Sequence, residues 1–342
     1  MVPRLSWCPV CFCCTERLIP TQPSRTNGGM RIITDWRHIP PEARGASVAL
    51  GNFDGVHLGH EAVIRAAHAA RPTAPLMALT FEPHPREFFR PYDPPFRLTL
   101  SAERADALAR LGVTWVVELA FDEAFSLMEA EEFISGVLLA GLDAKHLACG
   151  ADFAFGHRRG GDITLLSTRS EALGIGLTIV PPIMDAEGPL SSTRIRRLLQ
   201  DGYPERAAQL LGRPWGIRGI VSHGDKRGRT IGFPTANIPF GRHLEPARGV
   251  YAVTARLPDG TAYPGVANIG RRPTVNEGPE SRLEAHLFDF SGDLYDQDIT
   301  VSLHAFLRAE RKFAGLDDLR GQIAQDANEA RKLLDQLPAR QA

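Results

Sequence analysis

Between Met30 and about Gln200, short apolar runs alternate with stretches whose apolar positions recur at helical spacing. The runs Val48–Leu50, Leu76–Phe81, Trp115–Leu119, His146–Cys149 and Leu177–Val180 have the length and continuity of strands covered on both faces. The periodic stretches predict helices near His57–Ala70, Ser101–Leu111, Ala130–Leu139, Thr164–Leu173 and Ser192–Leu199. Strand and helix in alternation imply an α/β domain with a doubly wound parallel sheet. Beyond Gly212-Arg213-Pro214 the period changes. The segments Gly249–Leu257, Tyr263–Ile269, Arg282–Phe288 and Ile299–Phe306 are short and separated by turns rich in Gly, Pro and Asp, which predicts an antiparallel β-barrel. One helix closes the pattern, Leu316–Leu334, with Leu319, Ile323, Ala327 and Ala330 on one face. The expected organisation is therefore an α/β domain over 30–201, a linker at 202–213, and a barrel with its terminal helix over 214–338.

Length and composition fit that division. A chain of 342 residues has room for two cores, and 43% hydrophobic with 23% charged residues is ordinary for a globular protein. The formal net charge of −1 gives no global field to recruit nucleic acid, and no membrane association is expected. Cys8, Cys11, Cys13 and Cys14 crowd into the first residues, leaving Cys149 alone in the body, which points to a reducing, cytoplasmic location. Cys8-Pro9-Val10-Cys11 is half of a zinc knuckle without a second half. Residues 1–29 carry no periodicity and are expected to be a disordered tail or a misassigned start, with Met30 opening the folded protein.

The segment Gly51-Asn52-Phe53-Asp54-Gly55-Val56-His57-Leu58-Gly59-His60 leaves a strand through glycines and enters a helix. A helix N-terminus presents unpaired N–H groups and the positive end of the dipole, so it binds anions. His57 and His60 fall one turn apart there and are placed to donate hydrogen bonds to a phosphate whose charge develops during transfer. A zinc site is disfavoured, because the pair lacks the Glu of His-Glu-x-x-His. The segment resembles the His-x-Gly-His signature of the nucleotidyltransferase superfamily, and in its longer form the adenylyltransferase half of bacterial FAD synthetases. That resemblance implies a Rossmann-like nucleotidyltransferase domain, with Gly51, Asn52, Phe53, Asp54 and Gly55 at ATP.

Further segments extend the likeness. Gly188-Pro189-Leu190-Ser191-Ser192-Thr193-Arg194-Ile195-Arg196 opens a helix after the last strand, and its hydroxyls suit an N-cap. It resembles the family's Ser-Ser-Thr-x-Ile-Arg motif, which implies that Ser191, Ser192 and Thr193 bind triphosphate and that Arg196 neutralises the leaving pyrophosphate. Thr80-Phe81-Glu82-Pro83-His84-Pro85 and Gly150-Ala151-Asp152-Phe153-Ala154-Phe155-Gly156 are similar to segments lining the flavin and adenine sites, which implies flavin contacts for Phe81, Pro83, His84, Asp152 and Phe155. Core packing explains the phenylalanines equally well.

In the second half, Gly224-Asp225-Lys226-Arg227-Gly228-Arg229-Thr230 leads into Phe233-Pro234-Thr235-Ala236-Asn237. The glycine-rich basic loop offers N–H groups and charge to ATP phosphates, and the Thr235 and Asn237 oxygens are hard ligands suited to Mg²⁺. The stretch resembles the riboflavin kinase signature, with Gly224, Lys226, Gly228 and Arg229 at ATP. The same likeness makes Glu284 the base toward the riboflavin hydroxyl and puts Phe313, Arg320 and Gln322 over flavin. Together the motifs imply a two-step route with ATP as co-substrate and riboflavin, FMN and FAD as partners. The rival readings are a flavin-binding regulator that has lost turnover and an enzyme with a single live site. Oligomeric state is not legible.

Overall fold

The computed structural model describes residues 26–27, 29–223, 235–272 and 280–337. Its first sheet contains β1 (Thr26–Asn27), β2 (Met30–Ile33), β3 (Ser47–Leu50), β4 (Leu76–Glu82), β5 (Trp115–Ala120), β6 (His146–Gly150) and β7 (Gly176–Val180), in the spatial order β1-β2-β5-β4-β3-β6-β7. All neighbours are parallel except β1 and β2. The folded chain therefore begins before Met30, because Thr26–Asn27 turns through Gly29 at φ +92 to pair with β2. The rest of the expected tail lies outside the described residues.

Alternate residues of each central strand serve two cores, which is why these strands read as unbroken apolar runs. Val48, Leu50, Met77, Leu79, Val117 and Leu147 pack on one face. Ala49, Ala78, Val116 and Ala148 pack on the other, against Val63, Ile64 and Ala67 of α1 (Leu58–Ala70) and Ala105 and Leu108 of a later helix, Ser101–Arg110. In chain order α2 is Pro85–Phe89, α3 is Ser101–Arg110, α4 is Glu123–Ser126 and α5 is Ala130–Glu132, running on as a π-helix over Phe133–Gly141. Helix α6 spans Ile163–Leu173 and α7 spans Ser192–Gln200. The chain winds outward from β3 through β4 and β5, then restarts on its other side with β6, so a crevice opens beyond the ends of β3 and β6.

Segment 202–213, expected as a linker, contains α8 (Pro204–Leu211), and Ala207, Leu210 and Leu211 are buried. They share one core with Leu98, Ile195 and Leu199 from the α/β side and Trp215, Ile217, Val253 and Leu303 from the barrel. The two-stranded ribbon β8 (Met184–Asp185) and β9 (Gly188–Pro189) precedes α7. The barrel contains β10 (Trp215–Ile220), β11 (Ala236–Pro239), β12 (Gly249–Arg256), β13 (Ala262–Arg272), β14 (Glu280–Leu287) and β15 (Asp298–Ala309), ordered β10-β15-β12-β13-β14-β11 with every pairing antiparallel. A bridge from Ser222 to Asn237 draws its two ends together. Helix α9 (Leu316–Asp335) seats Ala330 and Leu334 on Val250, Ala252, Val266 and Phe288 outside the barrel. Among the described residues no helix is long and apolar enough to cross a membrane.

A core shared across the junction predicts joint melting. Leu199→Ala removes a buried side chain and should cost about 2–5 kcal/mol. Calorimetry should show one transition, shifted downward as a whole; two resolved transitions with only one displaced would contradict a shared core.

Candidate active site

A cleft of about 1110 Å³ opens at the predicted crevice. Helix α1 begins one residue after His57, so His57 is its N-cap rather than part of its first turn. The His57 Nδ1 accepts the N–H groups of Gly59 at 3.1 Å and His60 at 3.3 Å. An imidazole that accepts at Nδ1 carries its hydrogen on Nε2, so His57 is fixed as an Nε2–H donor. Burial lowers its pKa to about 4; Asp54 and Asp152 oppose the shift while Arg196 and Arg213 reinforce it. His60 stacks on it with ring centroids 3.7 Å apart, and burial followed by His57 pushes its pKa well below the ordinary value. A substituent on Gly59 would meet the His57 ring at 3.0 Å, which explains the glycine between the two imidazoles.

His84 repeats this device at α2. Its Nδ1 accepts the Arg86 N–H at 3.1 Å, and burial lowers its pKa to about 4. The ring stands edge-on to Phe96, centroids 5.1 Å apart. A third helix end points into the cleft at α7, capped by Ser191, whose Oγ accepts the Arg194 N–H at 3.3 Å.

Asp54 is 1% exposed and accepts the N–H groups of Leu98 at 3.0 Å and Thr99 at 2.9 Å and the Arg196 Nη2 at 2.5 Å. Its carboxylate is thereby committed within the protein. Arg196 also donates from Nε to the Phe96 carbonyl at 2.8 Å and lies 5.0 Å over the Phe96 ring. Ser192 Oγ donates to the Asp54 carbonyl at 2.9 Å, which ties the start of α7 to the loop after β3.

The cleft brings together Gly51, Asn52, Phe53, Asp54, His57, His60, Phe81, His84, Asp152, Phe155, Ser191, Ser192, Thr193 and Arg196. Pro83 and Gly55 are not in its lining. Gly55, at φ +86, is pressed against Leu98, where an added Cβ would approach to 2.9 Å. The Phe53 ring is fully buried under His60, 5.3 Å between centroids, so its cleft surface is backbone at φ +50. Phe81 and Phe155 are both core and wall, being 9% and 6% exposed.

Several lining residues escaped the sequence reading. Phe121 and Phe125 follow the end of β5 and extend the aromatic wall, at 5.8 and 5.6 Å from Phe81. Their position beyond a parallel strand was the available signal. Arg158 and Arg159, exposed at the cleft, both have left-handed backbone at φ +52 and +59.

In the barrel, β11 pairs with β14 so that Asn237 lies opposite Glu284. Ala236, Ile238, Leu283 and Ala285 fill the interior, which leaves Asn237 and Glu284 side by side on the other face. Asn237 is 4% exposed, and its Oδ1 has no hydrogen-bond partner among the described residues. Its Nδ2 donates to the Thr235 carbonyl at 3.4 Å. Gly224, Lys226, Gly228 and Arg229 lie outside the described residues. The Arg311 and Arg308 guanidinium carbons lie 4.8 and 5.7 Å from the Phe313 ring centre, and Gln322 donates to Asp326 at 2.7 Å. Arg320 is exposed, 3.8 Å from Asp317 on its own helix.

A doubly wound domain with buried imidazoles at a helix end is joined to a small antiparallel barrel that sets Asn237 beside Glu284, a two-domain architecture with a candidate site on each side. The family model for FAD synthetase matches residues 39–194 and that for riboflavin kinase matches 211–334. The protein named bifunctional riboflavin kinase/FMN adenylyltransferase in Escherichia coli is 43% identical over 305 residues, covering 89% of this chain and 96% of that one. The Bacillus subtilis protein of the same name is 39% identical, covering 87% and 96%. A solved structure from Streptococcus pneumoniae, described as a macrolide-efflux protein, superposes with a TM-score of 0.78 at 34% identity, covering 88% of this chain and 98% of that one. The chain belongs to the bifunctional riboflavin kinase/FMN adenylyltransferase family.

The lowered pKa values set a pH window. With folded values near 4 for His57 and His84 against about 6.5 unfolded, the unfolded chain binds more protons between them, so stability falls as pH drops from 6.5 toward 4. Nitrogen-15 NMR should find both rings neutral with Nε2–H from pH 8 to about 5.5. A ring protonating near pH 6.5 would contradict this.

Proposed function

We propose that the protein carries out two successive ATP-dependent transfers, riboflavin to FMN in the barrel domain over 214–338 and FMN to FAD in the α/β domain over 30–201. The observation that carries the second step is the His57 imidazole, held neutral at the start of α1 with its Nδ1 engaged by the helix and no partner for Nε2–H among the described residues. An FMN phosphate oxygen attacks the α-phosphorus of ATP, the bond to the bridging oxygen breaks, and pyrophosphate leaves. The nucleophile is already anionic near neutral pH and needs no base. What the reaction needs is stabilisation of charge on the transferring group, and a donor fixed before the reaction supplies it with little reorganisation. Arg196, aimed by Asp54, neutralises the leaving pyrophosphate. The α7 N-terminus with Ser191, Ser192 and Thr193 holds the triphosphate, and the aromatic wall with His84 and Asp152 receives the flavin.

In the barrel, the riboflavin 5′-hydroxyl oxygen attacks the γ-phosphorus of ATP, its proton passes to Glu284, and ADP leaves. Thr235 and Asn237 would hold Mg²⁺. The buried Asn237 Oδ1 fits a hard cation, since a buried amide oxygen is ordinarily paired. When bound, the ion offsets phosphate charge. The loop with Gly224, Lys226, Gly228 and Arg229 cradles the phosphates in this reading. A reducing, cytoplasmic setting is part of this reading; among the described residues Cys149 is a buried thiol.

Two variants test the assignment. His57→Ala should lower kcat for FAD formation from FMN about 10²–10³-fold, the usual loss for one such donor, and His57→Asn should retain more. A higher KM for ATP with kcat unchanged would make His57 a ground-state binding group. Glu284→Ala should stop FMN formation while FMN conversion to FAD stays within a few-fold of wild type. Loss of both rates, with the circular dichroism spectrum intact, would refute separate sites.

A further inference from the structure

We infer that the junction Gly212-Arg213-Pro214-Trp215 positions both charge-stabilising groups of the adenylyl-transfer site, with Arg213 as the positioning residue for His57. The inference rests on the adenylyl-transfer reading of the cleft. Arg213 donates from Nη2 to the Gly55 carbonyl at 2.7 Å and from Nη1 to the Val56 carbonyl at 2.9 Å, the two peptide groups immediately before His57. That loop is backbone few side chains tolerate, with Phe53 at φ +50 and Val56 at φ +42. Such conformations persist only where the surroundings over-determine them. Gly212 meets the next residue along, since a Cβ there would come within 2.8 Å of the Leu58 side chain at the start of α1.

A second line runs to Arg196. Trp215 Nε1 donates to the Leu98 carbonyl at 2.9 Å, the Leu98 N–H donates to Asp54, and Asp54 holds Arg196. The chain segments involved come from different halves: Arg213 and Trp215 lie in the stretch matched to riboflavin kinase, Gly55 and Val56 in that matched to FAD synthetase. The adenylyl site is thus completed by a strap from the kinase half.

The Arg213 side chain bonds carbonyl oxygens and forms no ion pair among the described residues, so its charge remains as a local field. Burial lowers its own pKa to about 10. The charged and titratable groups acting on His57 are Asp54, Arg196, Arg213 and Asp152, with the His60 ring stacked on it. Burial is the main reason it stays neutral; Arg196 and Arg213 add to that effect while Asp54 and Asp152 oppose it.

The test compares Arg213→Gln and Arg213→Lys with wild type, measuring FAD formation from FMN, FMN formation from riboflavin, and the His57 ring titration by NMR. For Arg213→Gln we expect kcat for FAD formation to fall about 10–100-fold, as misplacement by an ångström does. KM values should stay within three-fold, FMN formation within two-fold, and the His57 titration should move up. Arg213→Lys restores the charge but cannot bridge both carbonyls, so the titration should return while kcat stays low. Parallel loss of both activities would make Arg213 a merely structural residue, and an unchanged rate of FAD formation would end the inference outright. If Arg213→Gln does not fold, Arg213→Lys decides by the same split between the two rates. Wild-type protein that makes no FAD would instead remove the underlying reading.

Discussion

The buried Asp54 carboxylate is the contact on which the rest of the site depends. It holds Arg196, fixes the turn at Leu98 and Thr99, and its own carbonyl receives Ser192 from α7. Three chain segments far apart in sequence meet on this one residue. A buried charge in such a position is stable only while its partners remain, because removing one leaves the other desolvated and unpaired. The candidate site is therefore tied together at the point where the proposed reaction would place phosphate charge.

The same logic extends outward along the junction. Arg97, fully buried, pairs with Glu82 at 3.0 Å and Glu87 at 2.8 Å, and Arg242 from the barrel side reaches the same two carboxylates at 2.7 and 2.9 Å. His243 meets Glu103 at 2.7 Å. Arg242 and His243 lie a few residues beyond β11, which carries Asn237, while Glu82 and Glu87 flank His84. The two proposed sites are thus built on one continuous polar and apolar interface, and yet the groups assigned to them stay on separate elements.

Much of this was readable in the chain. The strands β3 to β6 and the helices after them follow the apolar pattern closely, because both faces of a central parallel sheet are buried and the signal is strong, whereas β7 at the sheet edge is only partly covered. The glycine-to-helix segment was legible as a candidate anion site from local chemistry, and its residues line the cleft. Elements that stayed hidden were short or formed at the junction: β11 has four residues, β10 is interrupted by Gly216 and Gly219, and α8 owes its burial to two domains at once. Tertiary roles were hidden as well. Asp54 and Gly55 both read as ATP-binding loop residues, but only the fold reveals that one anchors an arginine and the other packs on Leu98. Arg213 carried no local signal, since its partners lie more than 150 residues away.

The central claim is that one chain joins two transfers in series. The direct measurement is a time course with purified protein, riboflavin, ATP and Mg²⁺, in which riboflavin, FMN, FAD, ADP and pyrophosphate are separated by chromatography. The account predicts that FMN rises first and then feeds FAD, with one ADP and one pyrophosphate released for each FAD formed. FMN that accumulates without FAD or pyrophosphate, or riboflavin that is never phosphorylated, would contradict it.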